Sequence, residues 1–280
     1  MMSDEYTEEP PVARVPTGID VSVPSVARMY DYFLGGKDNF RADREASEQL
    51  SAVSPGSRAI AVNNRRYLQR TVRELAHKYG VTQFLDHGSG LPTQNNVHQI
   101  AQSVHPTARV VYIDNDPIVL AHGRALLMDN ATTTVITADM RDTEGVMTHP
   151  DVVKLLDFTE PVAALFVSVL HCIPDSDDPG ALLRRVVDRL APGSFVVVSH
   201  LVAEDPEVRD RLTAFMLDAT QGNWGRVRTP QDVAGYIADA GLEPLAPGLV
   251  EVSQWRPDGT KGPVPESTEW IEFGGVARKP

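Results

Sequence analysis

The sequence holds a single cysteine, Cys172, in 280 residues. That excludes an intrachain disulfide framework and a cysteine-rich zinc site. Lysine is nearly as scarce, five against 21 arginines, a bias that reads as a GC-rich bacterial genome rather than as mechanism. Positive charge is outweighed overall, 26 Lys and Arg against 38 Asp and Glu, for a net charge of −12. No basic block relieves it, so binding to nucleic acid is not expected, because phosphate neutralisation needs clustered cations. Long apolar runs are missing too. The longest, around Val162–Leu170, is too short to span a bilayer. Met1–Pro11 is acidic and lacks the basic-then-apolar pattern of a secretion signal. These absences predict a soluble, cytoplasmic protein without a membrane partner. What is present is ordinary globular composition, 42% apolar and 23% charged, in a chain long enough for one large domain or two small ones.

Residues 1–20 carry prolines and acids without apolar periodicity and read as a disordered tail. Residues 21–80 read as a helical cap or lid, with a central Gly35-Gly36-Lys37-Asp38-Asn39 turn and a long helix over Ser54–Tyr79. Its apolar positions are Ile60, Tyr67, Leu68, Val72 and Leu75. From residue 81 strands and helices alternate. Strands are expected at Gln83–Asp86, Val110–Asp114, Thr133–Ala138, Val162–Val169 and Ser194–Ser199, with helices near Gln94–Gln102, Pro117–Met128, Asp151–Leu155 and Pro179–Leu190. Short apolar strands in such alternation predict a doubly wound α/β sheet covered on both faces. Ser54-Pro55, Asp116-Pro117, Asp178-Pro179, Asp205-Pro206 and Thr229-Pro230 each pair a capping side chain with proline at the first helical position. Helices at Pro206–Ala219 and Pro230–Ala240 precede two late strands, Leu249–Trp255 and Trp270–Ala277. No helix joins these two strands, so an antiparallel pair is expected. Residues 81–280 thus form a core that makes one structural unit with the cap.

The segment QFLDHGSGLPTQN is a strand ending at Asp86, a Gly88-Ser89-Gly90 turn and a helix start. Such glycines let the backbone bend and approach a ligand. A turn without a ligand needs them equally, so the turn alone is a weak signal. Two acids strengthen it. Asp114 ends the next strand, 24 residues past Gly90, where an acid accepts hydrogen bonds from ribose hydroxyls. The third strand ends in TADMRD, bringing Asp139 and Met140 to the neighbouring tip. A carboxylate there can accept the exocyclic amino group of adenine. Asp116 reads instead as a helix cap, and Asp142 as a solvated loop acid. The dinucleotide pattern G-x-G-x-x-G has Thr93 at its third glycine, which speaks against an NAD-linked oxidoreductase, and no phosphate-binding P-loop occurs. An adenosine ligand lacking a pyrophosphate fits better, and S-adenosylmethionine is the common one. Its amino-acid end would lie over Gly88–Gly90, its ribose on Asp114 and its adenine by Asn115 and Asp139.

Five segments carry a resemblance: PSVARMYDYFLGGKDNFRADRE, QFLDHGSGLPT, VVYIDNDPIVLAH, LHCIPD and LVEVSQWRP. With these, the chain resembles a bacterial S-adenosylmethionine-dependent methyltransferase family formerly catalogued as a domain of unknown function. YDYFLGGKDNF is the most specific of them, and together they span the chain from about Pro24 to near its C-terminus. The resemblance implies a class I methyltransferase, a Rossmann-like α/β sheet of seven strands with the last antiparallel. It also implies cofactor contacts at Asp86, Gly88, Gly90, Asp114 and Asp139. Ser89, Asn115, Met140 and Ser168, at the same strand ends, join the cofactor candidates. His87 departs from the pattern, since many such enzymes carry an apolar residue there.

Methyl transfer from a sulfonium is an in-line displacement, so the protein mainly aligns the acceptor and excludes water. A base is needed only for a protonated acceptor. His171, after the fourth strand, and His200, after the fifth, are the candidate bases, although strand-end histidines more often serve packing or hydrogen bonding. The absence of [DNS]-P-P-[YFW] argues against methylation of nucleic-acid bases at exocyclic amines. Asp175, Asp177 and Asp178 form an acidic loop, but Asp178 is a predicted cap and no metal site is assigned. Cys172 reads as a small buried hydrophobe. Tyr30, Tyr32, Phe33 and Phe40 interleave with Arg28, Lys37 and Asn39. They form either a cap burying its aromatics or a lid from which Tyr30 and Lys37 reach the cofactor or acceptor. Trp224 and Trp255 are candidate walls of an acceptor pocket. The expected function is methyl transfer to an oxygen or nitrogen of a small-molecule acceptor. The alternative is a catalytically silent S-adenosylmethionine-binding regulatory protein.

Overall fold

Five short strands with buried, largely apolar or β-branched residues pair side by side, covered by helices on both faces. In the computed structural model, which describes residues 20–92, 95–127 and 130–280, they are β1 Gln83–His87, β2 Arg109–Asp114, β3 Thr133–Thr137, β4 Ala163–Val167 and β5 Phe195–Val202. Except for Asp20, the tail expected at 1–20 lies outside the described residues, as do Thr93, Gln94, Met128 and Asp129. The five strands are parallel in the order β3-β2-β1-β4-β5. Three more, β6 Glu243–Pro244, β7 Val250–Glu251 and β8 Ile271–Arg278, complete an eight-stranded sheet. β8 runs antiparallel between β5 and β6. The two late segments pair antiparallel as expected, Val250 opposite Gly274, but only β7 is strand and Val252–Gln254 is a 3-10 turn. The two-residue β7 is the addition to the seven strands anticipated.

The helices are α1 Val26–Phe33, α2 Arg41–Val53, α3 Ser57–Tyr79, α4 Val97–Val104, α5 Pro117–Leu126, α6 Thr143–Thr148, α7 Pro150–Leu155, α8 Pro179–Arg189, α9 Pro206–Ala219 and α10 Pro230–Asp239. Successive strand residues face opposite ways, and the two cores follow that alternation. Leu85, Val111, Phe166 and Val198 pack with Leu182, Leu183 and Val186 of α8. Phe84, Val110, Leu165 and Val197 pack with Tyr67, Leu68, Val72 and Leu75 of α3. A third cluster joins α1–α3 to the rest of the molecule: Met29, Phe33, Leu50 and Ile60 meet Leu201, Leu212, Met216, Trp224 and Trp270. Each such side chain contributes about 1.5–3 kcal/mol on burial, so these helices are docked, not loosely appended.

Four of the five proline-preceding caps form as expected. Asp116, Asp178, Asp205 and Thr229 each accept a backbone N–H at the start of their helix. Ser54 does not. Its N–H bonds Leu50 O at 2.8 Å, which makes it the C-cap of α2, and its buried hydroxyl has no partner among the described residues. The long helix starts later, at Ser57, after Gly56 turns the chain at φ 105°, a conformation open to glycine.

Asp31 and Asn39 close the loop of YDYFLGGKDNF on itself. Asp31 Oδ2 accepts the Asp38 N–H and the Asn39 side-chain amide, both at 2.9 Å. A Cβ on Gly36 would lie 1.9 Å from Asp31 Oδ1, so only glycine fits there. Behind this loop the fully buried Asp43 accepts the N–H groups of Ser25 (2.9 Å) and Phe40 (2.8 Å) and pairs with Arg28 Nε at 2.9 Å. The segment is therefore a closed helix–loop–helix with Lys37 exposed at its tip.

Candidate functional site

A cavity of about 600 Å³ opens at the carboxyl ends of β1, β2 and β4, between the sheet and the α1–α3 cap. Ligands of open α/β sheets bind at this place. The turn after β1 forms its floor. Gly88 and Ser89 donate to Ile113 O at 2.8 and 3.0 Å, holding the turn against β2. Gly88 has φ 66°, and a Cβ there would lie 2.2 Å from a Val169 methyl; a Cβ on Gly90, φ 64°, would meet nothing within 4 Å. One glycine is thus required by packing, and the other leaves the backbone bare toward open space.

Asp114 ties the turn to β2. Its Oδ2 accepts the Gly90 N–H at 2.8 Å and its Oδ1 the Asp116 N–H at 2.9 Å. Burial raises its pKa, and these backbone donors oppose the rise. Asp86 is buried beneath the turn; burial pushes its carboxyl up to about 7, with Arg65 pulling down and Asp114 pushing up. Asn115 and Met140 line the cavity beside them. Asp139 lines it too, but both its oxygens take a fork from Arg141 Nε at 2.9 Å, and Arg141 continues to Asp177 at 2.6 Å. The Arg141 guanidinium holds the Asp139 carboxyl below its usual range. Ser168 lines the cavity at φ 59°, its N–H donating to Ser199 Oγ at 2.9 Å. A carboxylate-rich floor over a turn whose Gly90 carries no side chain suits a cationic, hydroxyl-bearing ligand such as S-adenosylmethionine.

Away from these strand tips the wall turns apolar, drawn from the third cluster. Tyr30 stands there, its hydroxyl donating to Ala61 O at 3.1 Å and accepting from Asn64 Nδ2 at 3.0 Å. Asn64 Oδ1 in turn accepts from Ser199 Oγ at 2.7 Å. His171 lines the cavity, tilted against Trp224 with ring centroids 4.8 Å apart, and its Nδ1 accepts the Leu201 N–H at 3.2 Å. Burial and the neighbouring His200 and Arg228 hold its pKa well below the usual imidazole range.

Several expectations need correction. His200 does not line the cavity: its ring is fully buried, Nδ1 bonds Leu201 O at 2.8 Å and Nε2 meets Arg228 Nη1 at 3.1 Å. Burial pushes it down to about 3, so it is a neutral packing and bonding residue. Lys37 is also outside the cavity lining, carried to the surface by the closed loop. Trp255 packs edge-on against Tyr67 in the second core, whereas Trp224 does line the cavity. Asp175 and Asp177 are taken by arginines, Arg226 and Arg228 for the first and Arg141 for the second. Cys172 is partly exposed on the cavity wall, its thiol pushed up by burial.

Sequence reasoning overlooked Glu272. This β8 residue is 2% exposed, lines the cavity, and its Oε1 has no hydrogen-bond partner. Burial pushes its carboxyl up to about 8, against the Ser199 and Ser168 hydroxyls. The signal was available: a lone carboxylate within the otherwise apolar stretch WIEFGGVA. His87, the departure noted above, stacks on Phe166 with centroids 4.2 Å apart, and neither ring nitrogen has a partner. Burial pushes its pKa down to about 4 from 6.5. The unfolded chain therefore binds more protons between these values, and stability falls with falling pH there. His87→Phe is expected to raise the melting temperature, with an advantage about 2 kcal/mol larger at pH 5 than at pH 8. A gain that does not change with pH in thermal unfolding would contradict this account.

The strand order, with an antiparallel strand inserted beside β5 and a cavity over the β1 turn, defines the class I methyltransferase fold. A family model described as S-adenosyl methyltransferase matches residues 13–280. A crystal structure from Thermobifida fusca, assigned as a methyltransferase, is 42% identical; it covers 96% of this chain and 99% of its own, with TM-score 0.84. A DUF574 family protein from Streptomyces avermitilis is 37% identical over 93% of this chain and 99% of its own, also with TM-score 0.84. No curated protein matches the chain. The chain belongs to the S-adenosyl methyltransferase family, whose cofactor is S-adenosylmethionine. Among the described residues no helix is long and apolar enough to cross a membrane.

Proposed function

We propose that this chain transfers a methyl group to an oxygen or nitrogen of a small-molecule acceptor. The observation that carries the reading is the two-part cavity, acidic and backbone-lined at the strand tips and apolar beneath the cap. The acidic part would hold the cofactor: Asp86 and the Gly88-Ser89-Gly90 backbone its amino-acid end, Asp114 its ribose, and Asn115, Asp139 and Met140 its adenine. When bound, the cofactor supplies an electrophilic methyl on a sulfonium. The chain's own share is positioning and exclusion of water. α1 and α3 close the cavity from above, Tyr30 is held by Ala61 and Asn64, and Ser168 is fixed by Ser199 where the two parts meet. A space closed by Met29, Phe33 and Trp224 suits a metabolite better than a polymer.

Calorimetric titration with S-adenosylmethionine, S-adenosylhomocysteine and NAD tests the cofactor half. The first two should bind and NAD should not; failure of both sulfur compounds would overturn the reading. The pH dependence is specific. A cationic ligand favours the ionised Asp86, whose carboxyl gains its charge only near pH 7. Affinity should therefore rise about tenfold from pH 6 to pH 8 relative to Asp86→Asn, the ratio cancelling titration of the ligand's own amine.

A further inference from the structure

The apolar half of the cavity contains one feature that methyl-donor binding does not use. Glu272 lies directly across from Leu201 in the β5–β8 pairing, faces the Ser199 and Ser168 hydroxyls, and lines the same cavity as Phe33, Met216, Trp224 and Trp270 of the third cluster. Its Oε1 is buried and has no hydrogen-bond partner among the described residues, and a buried carboxylate without a counter-charge is costly. No basic group of the cavity wall serves it. Arg28 is paired with Asp43, Arg65 donates to Asn96 Oδ1 at 3.0 Å, and Arg141 is shared by Asp139 and Asp177. The other titratable groups around Glu272 are Tyr30 from α1, Tyr67 from α3, His171 and Cys172 from the turn after β4, and Glu251 from β7. Burial keeps the tyrosines and the thiol protonated and the imidazole neutral, so none is a cation.

We propose that this half of the cavity takes a small molecule with an apolar body and a basic amine, and that Glu272 receives the proton of its ammonium. The proposal rests on the methyltransferase reading, in which the second occupant of the cavity is the acceptor. It narrows that acceptor from oxygen or nitrogen to nitrogen. Aromatic walls and a buried carboxyl both favour a cation. An anionic acceptor would face Glu272 with no counter-charge. A neutral alcohol would satisfy the orphan oxygen but leave the carboxyl protonated. Before transfer one N–H bond breaks, its proton passes to Glu272 Oε1 and its electron pair stays on nitrogen. The nitrogen is then neutral and nucleophilic. That pair would then form the N–CH3 bond as the S–CH3 bond breaks, the S–C pair staying on sulfur as a neutral thioether and the positive charge passing to nitrogen.

Two matched probe sets test this by binding alone, in the presence of S-adenosylhomocysteine and near neutral pH: phenethylamine, 2-phenylethanol and phenylacetate, then hexylamine, hexanol and hexanoate. At least one amine should bind about tenfold or more tighter than its alcohol, and neither acid should bind. Because the free carboxyl titrates near 8, amine binding should release about one proton, read from the heat in buffers of different ionisation enthalpy. Glu272→Gln should abolish the amine preference and the proton release while leaving S-adenosylhomocysteine affinity and the alcohol affinity unchanged. The absence of an amine preference in both sets overturns the proposal, as does an acid that binds as tightly as its amine or a preference that survives in Glu272→Gln. So does the failure of all six probes while S-adenosylhomocysteine binds, which leaves the cofactor reading intact. Failure of S-adenosylhomocysteine itself overturns both. The preference measured on the unaltered protein stands as a test even where the variant fails to fold.

Discussion

Replacing Asp43 by alanine is expected to cost about 3–5 kcal/mol and to loosen the helices over the cavity. The carboxyl is fully buried, paired with an Arg28 that is 3% exposed, and it accepts two backbone N–H groups besides. Alanine would leave a buried guanidinium without its main partner and two amides without acceptors. Against a typical total of about 5–15 kcal/mol, that is enough to populate unfolded protein near body temperature. Urea denaturation measures it directly. The double variant Arg28→Met with Asp43→Leu should lose less than Asp43→Ala, because it removes the stranded charge. A loss within about 1 kcal/mol for Asp43→Ala would show that the pair contributes no more than a surface one.

Asp114→Asn should weaken S-adenosylmethionine binding by about 1.5–3 kcal/mol, tenfold or more in affinity. Both oxygens of Asp114 already accept backbone N–H groups, from Gly90 and from Asp116. An asparagine must turn its NH2 toward one of them, donor against donor, so the β1 turn shifts as the charge is lost. Loss of the ribose contact and displacement of the turn act together. Calorimetry on a variant with unchanged melting behaviour decides the matter, and unaltered affinity would remove Asp114 from the site.

Local chemistry made the sheet and the β1 turn legible. Asp114 and Asp139 end apolar strands, and four cap-proline pairs mark helix starts without reference to anything distant. Ser54-Pro55 misled because its surroundings, not the dipeptide, decide which helix it belongs to: the chain continues α2 to Ser54 before Gly56 reverses it. His200 misled for a similar reason. A strand end is the right place for a base, but only the three-dimensional arrangement brings Arg228 against its Nε2. Lys37 depended on the course of a loop that Asp31 closes on itself. Glu272 needed the insertion of β8 beside β5, a contact between residues about 70 apart that no local pattern displays. YDYFLGGKDNF was recognisable because Asp31 and Asn39 close its loop, while Tyr30, Asp31, Phe33 and Leu34 line the cavity.

The hydrogen bond from Ser25 Oγ to Asp116, at 3.0 Å across 91 residues, bears on the order in which the molecule is built during synthesis. Asp43 of α2 already holds the Ser25 N–H, but the Ser25 hydroxyl finds its partner only once Asp116 has been made and has capped α5. The opposite wall waits longer still, because Glu272 and Trp270 arrive with β8. Residues of α1 and residues of β8 therefore meet over one cavity. Until β8 has joined β5, a nascent chain has the nucleotide-type parallel sheet without the wall that Trp270 and Glu272 supply.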